Sequence, residues 1–199
     1  MRYFKFYLAT LGVIILDQVI KLWVYFNFPY EGFEHESIRI GDWFKLHYIT
    51  NEGMAFGISI AGDHGKLVLT LFRLVAMAGI AWYLYHLAKK DAHPGLLWSI
   101  GLILGGAMGN VVDSVFYGVF LDLPTQDAPY LWFHGRVIDM FYVDICHCQI
   151  PSWVPFIGDT TYPLWPIFNL ADAAIFVGVV VILIFQSRFF AEQESSSSN

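Results

Sequence analysis

Four aspartates, Asp17, Asp113, Asp139 and Asp172, stand in surroundings so apolar that a carboxylate there needs a reason. The plainest case is "PIFNLADAAIFVGVVVILIF", Pro166 to Phe185, which is hydrophobic enough to cross a membrane yet carries Asp172 inside its first two turns. An acid within a bilayer costs about 3 kcal/mol on insertion-based scales, so such residues usually face the protein interior and carry function. Two carboxylates close together in a low dielectric cannot both ionise, so one pKa rises and the pair holds a single proton. The ionised member can draw a proton from water attacking a carbonyl, while the protonated member donates to the oxyanion and later to the leaving amine. Peptide-bond hydrolysis by an aspartic dyad is the natural chemistry of such a pair. Spacing alone leaves open which of the four acids form it.

Other chemistries lack their residues. There is no serine with a histidine and an acid at recognisable spacing, no His-Glu-x-x-His zinc motif and no phosphate-cradling glycine loop. The seven histidines are spread over loops and inner ends of spans. The two cysteines fall in Cys146-His147-Cys148, and a C-x-C pair without a second pair is poor metal-site spacing. No metal, no cofactor and no nucleic acid are expected.

The elements that must position these acids are membrane spans. Of the 199 residues, 57% are hydrophobic, 18% aromatic and only 14% charged, and mean hydropathy is positive. Stretches of about 20 apolar residues suffice to cross the hydrocarbon core. Four are expected, at Phe4 to Phe26, Lys66 to Leu87, Pro94 to Phe116 and Ile167 to Phe190, joined by outer loops over 27–65 and 117–166. The first run is too long for a signal-peptide core and carries Asp17 and Lys21. The fold class is thus an all-α integral membrane protein of four transmembrane helices. A small β-sheet is expected in the first outer loop, where "WFKLHYI" alternates with Phe44, Leu46 and Tyr48 on one side and Lys45 and His47 on the other. Residues 1–190 read as one polytopic domain, and 191–199, with its run of serines, as a disordered cytoplasmic tail.

Arg2, Lys5, Lys89, Lys90 and Arg188 mark the start, the short link between spans two and three, and the end. By the positive-inside rule these regions are cytoplasmic, and so are both termini. Span one then runs outward and carries Asp17 and Lys21 in its outer half, four apart with the acid first, the favourable order for a helical ion pair. Span three also runs outward; Gly101, Gly105 and Gly109 form a small-xxx-small face that Asp113 continues, with Asn110 close by. Span four runs inward, so Asn169 and Asp172 are again near the outer surface. Asp139, in "GRVIDMFYVDI", can reach the same depth, and Arg73 joins from span two. Convergence on one layer disfavours the chief rival, a proton- or ion-coupled transporter, which needs polar groups near the midplane with access from both sides. The second rival is a non-enzymatic membrane subunit using the acids only for packing. No internal repeat is visible, which also weakens the transporter reading.

The ordered motifs "LDQVIK" (Leu16 to Lys21), "NEGMAFG" (Asn51 to Gly57), "GGAMGNVVDS" (Gly105 to Ser114), "RVIDMF" (Arg136 to Phe141) and "FNLADAAI" (Phe168 to Ile175) resemble the bacterial lipoprotein signal peptidases, signal peptidase II. The resemblance implies an inner-membrane aspartic endopeptidase that removes the signal peptide from diacylglyceryl-modified prolipoproteins, cutting just before the lipid-bearing cysteine. Its site would lie near the periplasmic face. It implies Asp139 and Asp172 as the catalytic pair, with Asp17, Lys21, Asn51, Gly53, Asn110, Asp113 and Asn169 shaping or supporting the site. It also implies sensitivity to globomycin-type cyclic peptides; contact with membrane lipid and a monomeric chain are expected besides. Ser114 stands where the family usually carries arginine, and Arg136 is the substitute the sequence offers. The stretches from Val119 to His134 and from Cys146 to Trp165 are longer than the family's usual connections.

Overall fold

In the computed structural model, residues 4–28, 37–53, 64–126, 128–145, 147–149, 151–153, 161–163 and 165–197 are described. Among the described residues, four helices are long and apolar enough to span a membrane: α1 (Phe4–Asn27), α2 (Gly65–Lys89), α3 (Pro94–Phe120) and the Leu170–Phe190 part of α4 (Leu170–Ser197). Helix α4 is assigned through Ser197, into the stretch expected to be a disordered tail. The strands are β1 (Ile38–Arg39), β2 (Phe44–Asn51), β3 (Val137–Val143), β4 (His147–Gln149) and β5 (Thr161–Pro163). Cys146 lies outside the described residues. The chain divides into two compact units, one of residues 1–20, 51–137 and 170–199, the other of residues 21–50 and 138–169.

The first unit is helical, and α3 is its centre: over half of its spanning window is buried, against less than a quarter in the other three helices. Glycine makes this possible. A Cβ on Gly101 would meet the Phe6 carbonyl at 3.2 Å, and one on Gly105 would meet Val13 Cβ at 2.8 Å. The Thr10 hydroxyl donates to the Gly101 carbonyl at 2.9 Å across this contact. On another face, a Cβ on Gly106 would meet the Ala171 carbonyl at 2.2 Å and one on Gly178 the Ser99 carbonyl at 2.7 Å. Helices in lipid gain nothing from hiding apolar surface from one another, so close backbone approach through small residues is what holds them.

Side chains then sort along the helices. Phe6, Leu84, Leu87, Ala88, Leu96, Leu97, Ile100, Leu104 and Phe189 form the apolar core where α2 turns into α3. Pro94 opens α3 at a position where the missing N–H costs nothing, and His93 Nδ1 accepts from the Gly95 amide at 3.0 Å. The other end of the helices is polar. There the segment after α3 folds back along it: the Phe133 and Gly135 amides donate to the Val115 and Ser114 carbonyls, and a Cβ on Gly135 would sit 2.2 Å from the Asp113 carbonyl.

The second unit contains the sheet, in the order β1-β2-β3, with β1 antiparallel to β2 (Ile38 opposite Leu46, Arg39 opposite Lys45). Its first two strands are in the first outer loop, as expected, but the third arrives from the second outer loop. Because of that added strand, the alternation of β2 does not separate a wet face from a dry one: His47 and Tyr48 are both buried. His47 Nδ1 lies 2.9 Å from the Ser37 hydroxyl, and its ring meets that of Tyr142 on β3. Lys45 pairs with Asp144 just beyond β3, and β4 pairs antiparallel with β5.

Candidate active site

The polar end of the first unit carries Asp17, Asn51, Gly53, Asn110, Asp113, Arg136 and Asp172; Lys21, Asp139 and Asn169 belong to the second. Asp17, Asp113 and Asp139 are no more than 2% exposed, whereas Asp172 is only partly buried. Among the four acids, Asp172 is therefore the one with surface to offer an incoming group.

Asp172 sits in the first turn of α4, and its Oδ1 accepts from Asn110 Nδ2 of α3 at 2.8 Å. The helix begins at Leu170, later than the Ile167 expected, because the preceding residues are used otherwise: Phe168 exchanges backbone hydrogen bonds with Phe141 in an extended bridge. The first amides of a helix have no partner within it, and its N-terminus carries partial positive charge. Asp17 answers both needs, for its Oδ1 accepts from the Ala171 amide at 2.9 Å. Asp17 thus caps the first turn of α4, the turn that carries Asp172. The close approach is again by glycine, since a Cβ on Gly109 would lie 2.7 Å from Asp17 Oδ2.

Asp113 is reached by Gln18, whose amide nitrogen donates to Asp113 Oδ1 at 2.8 Å and lies 3.2 Å from Asp17 Oδ2. The same amide's oxygen accepts from the Tyr117 hydroxyl at 2.9 Å. The sequence carries a signal for Gln18, since a glutamine beside an intramembrane aspartate is itself an expensive polar group. Lys66 carries no such signal. It looks like the basic edge of span two, but it is 4% exposed, and its ammonium donates to the Glu52 carbonyl at 2.7 Å and to Ser114 Oγ at 3.3 Å. The lysine thus reaches the side chain of Ser114. Arg136 donates its backbone amide to Leu123 in the segment after α3.

Asn51 and Gly53 form one turn. The Asn51 side-chain oxygen accepts from the Gly53 amide at 2.7 Å, and Gly53 adopts φ +78°, which a side chain would strain. Arg73 Nη2 donates to the Gly53 carbonyl at 2.7 Å. Residues 54–57 of the "NEGMAFG" motif lie outside the described residues.

In the second unit, Asp139 on β3 is held by Asn169, whose Nδ2 donates to Asp139 Oδ1 at 2.7 Å and lies 3.3 Å from the Ile138 carbonyl. The Met140 and Phe141 amides both donate to the Phe168 carbonyl, and Phe168 donates back to Phe141. Two ring contacts, Phe44 with Phe141 and Phe141 with Phe168, cover this bridge. The "RVIDMF" and "FNLADAAI" motifs are thus laced together over their backbones around Asp139. Lys21 is fully buried late in α1.

A family model described as signal peptidase (SPase) II matches residues 9–188. The chain belongs to the signal peptidase II family. This member is 44% identical over 184 residues to a lipoprotein signal peptidase of Amoebophilus asiaticus, covering 92% of the chain and 78% of that relative. It is 37% identical to one of Porphyromonas gingivalis (88% and 80% covered) and 35% identical to one of Chlorobium phaeobacteroides (93% and 97% covered). Its fold resembles a solved bacterial membrane enzyme with a TM-score of 0.58 at 23% identity, over 92% of this chain and 88% of that one. Membership makes this multi-pass membrane protein a peptidase.

Proposed function

We propose that this chain removes the signal peptide from diacylglyceryl-modified prolipoproteins, with Asp139 and Asp172 as a catalytic pair that cuts just before the lipid-bearing cysteine. One observation carries the reading: each of the two aspartates has one carboxylate oxygen held by an asparagine amide, Asp172 by Asn110 and Asp139 by Asn169. An amide donor on one oxygen fixes the plane of a carboxylate without supplying a charge that would neutralise it. Asn169 and Asp172 are also only three residues apart in the chain, so one short segment carries both the partner of Asp139 and the second acid.

The chemistry follows from a pair sharing one proton. The ionised carboxylate accepts a proton from water as its oxygen bonds to the scissile carbonyl carbon. The protonated carboxylate donates to the carbonyl oxygen, giving a neutral tetrahedral diol. Collapse of the diol breaks the C–N bond: the carboxylic acid gives its proton to the departing amine, one diol hydroxyl returns its proton to the other carboxylate as its oxygen becomes the new carbonyl, and the pair again holds one shared proton. A partly exposed Asp172 near the outer end of α4 suits a substrate anchored by its own diacylglyceryl group in the outer leaflet of the inner membrane. Both termini are then cytoplasmic, and globomycin-type cyclic peptides compete for the same site.

The test is cleavage of a diacylglyceryl-modified preprolipoprotein by purified protein in detergent or lipid. Asp139→Asn and Asp172→Asn should each lose about 10³-fold or more in kcat, since each removes a member of the acid–base pair. Full processing by either variant refutes the assignment.

A further inference from the structure

We propose that Arg73 is a substrate-binding residue, whose Nη1 donates to a backbone carbonyl oxygen of the peptide presented to Asp172. The inference deepens the reading above and rests on Asp172 being where the peptide is cut.

Two cations stand on the first turns of α2, and the structure uses them differently. Lys66 spends its ammonium on the Glu52 carbonyl and the Ser114 hydroxyl. Arg73 takes the next carbonyl of the same turn, that of Gly53, with Nη2 alone. Its other arm, Nη1, is buried and has no hydrogen-bond partner among the described residues. A guanidinium carries its donors in a rigid fork, so an arm left over by one acceptor has a fixed direction. A buried charged donor without an acceptor is costly, and binding an acceptor there recovers that cost.

The surroundings name the acceptor. The turn that Arg73 holds is linked to Asp172 by hydrogen bonds: Lys66 donates to the Glu52 carbonyl and to Ser114 Oγ, Ser114 Oγ donates to the Asn110 carbonyl, and Asn110 Nδ2 donates to Asp172 Oδ1, while Arg73 Nη2 donates to the Gly53 carbonyl. An incoming carboxylate would face the charge of Asp172, whereas a neutral amide oxygen would not. A peptide backbone offers such oxygens on either side of the bond to be cut. Gly53 makes the arrangement possible, because a Cβ there would stand 2.8 Å from Nη1 and 3.2 Å from Nη2. The glycine of the turn is needed for its backbone conformation and also to leave the guanidinium its place.

The experiment compares wild type, Arg73→Lys and Arg73→Gln as full-length protein in detergent, using a diacylglyceryl-modified prepeptide and versions with single backbone carbonyls near the scissile bond replaced by the weaker acceptor thiocarbonyl. Arg73→Lys keeps a donor for the Gly53 carbonyl but loses the fork. It should raise KM about tenfold or more, with kcat within about threefold and an unchanged unfolding temperature. One thiocarbonyl position should raise KM in wild type and have no further effect in either variant. A wild-type KM in Arg73→Lys, or a loss in both variants that tracks unfolding temperature and is additive with every thiocarbonyl, overturns the inference in favour of a clamp on the turn. Asp172→Asn run alongside separates the two failures: if it is inactive while Arg73→Lys binds normally, only the role of Arg73 falls, and if it cleaves, the reading beneath falls.

Discussion

Replacing Gly106 by alanine tests whether packing between α3 and α4 sets the position of Asp172. The added methyl would lie 2.2 Å from the Ala171 carbonyl oxygen and 2.8 Å from Ile175 Cγ1. The isoleucine can turn away, but the carbonyl belongs to the first turn of α4 and cannot. Restoring an ordinary contact requires the helices to part by about 1 Å. Asn110 lies one turn beyond Gly106, and Asp172 follows Ala171, so the same displacement stretches the Asn110–Asp172 hydrogen bond. From 2.8 Å it would reach about 3.8 Å, beyond hydrogen-bonding range. Overpacking costs about 1–3 kcal/mol, offset in part by the 0.5–1 kcal/mol or so that alanine gains over glycine within a helix. A misplacement of about 1 Å at a reacting group costs about 10²-fold in rate. Cleavage of a fluorogenic lipopeptide and thermal unfolding in detergent measure the two effects. Gly12→Ala is the control, since nothing lies within 4 Å of its Cβ position: it should match wild type in activity and unfold no lower, with the helical gain of alanine and no overpacking cost. A Gly106→Ala protein with wild-type activity and unfolding temperature would refute the claim that this contact positions the acid.

Removing the amide from Asp139 should be costly in a way that depends on the replacement. Asn169→Ala should lower kcat by about 10- to 100-fold through loss of a hydrogen bond to a charged group, and Asn169→Asp should do worse at neutral pH because it sets a second carboxylate against Asp139. If Asn169→Asp is the more active of the two in a pH 7 cleavage assay, that account of Asn169 fails. In the sheet, burial and then the neighbouring Lys45 charge push the His47 imidazole below its ordinary value of 6.5. The neutral ring is the one the fold prefers, so its contribution to stability is complete above about pH 6.5 and is lost as pH falls through the lowered folded value. The unfolding temperature should therefore drop on acidification below that point, and His47→Gln should flatten the drop; an identical pH profile in the variant would be the contrary result.

The spans and the motif-bearing turns were legible in the sequence because their causes are local. A run of apolar residues long enough for the bilayer is visible wherever it occurs, and so is a glycine every fourth position ending in Asp113. The expected direction of each span groups Asp17, Asp113 and Asp172 at one end of the helices, where Ala171, Gln18 and Asn110 bind them. The partners of those acids were not legible. Asp17 was read as half of an ion pair within its own helix, yet its carboxylate also binds the amide of Ala171, 154 residues away. Lys66 looked like the edge of a span and is a buried cation on Ser114; Gln18 looked incidental and reaches Asp113. The third strand of the sheet came from a different loop than its neighbours. Each of these depends on which backbone meets which after the helices pack. Hydrophobic length and small-residue spacing determine that a segment crosses and has a face for a neighbour, but only packing decides which carbonyl, amide or charge lies opposite it.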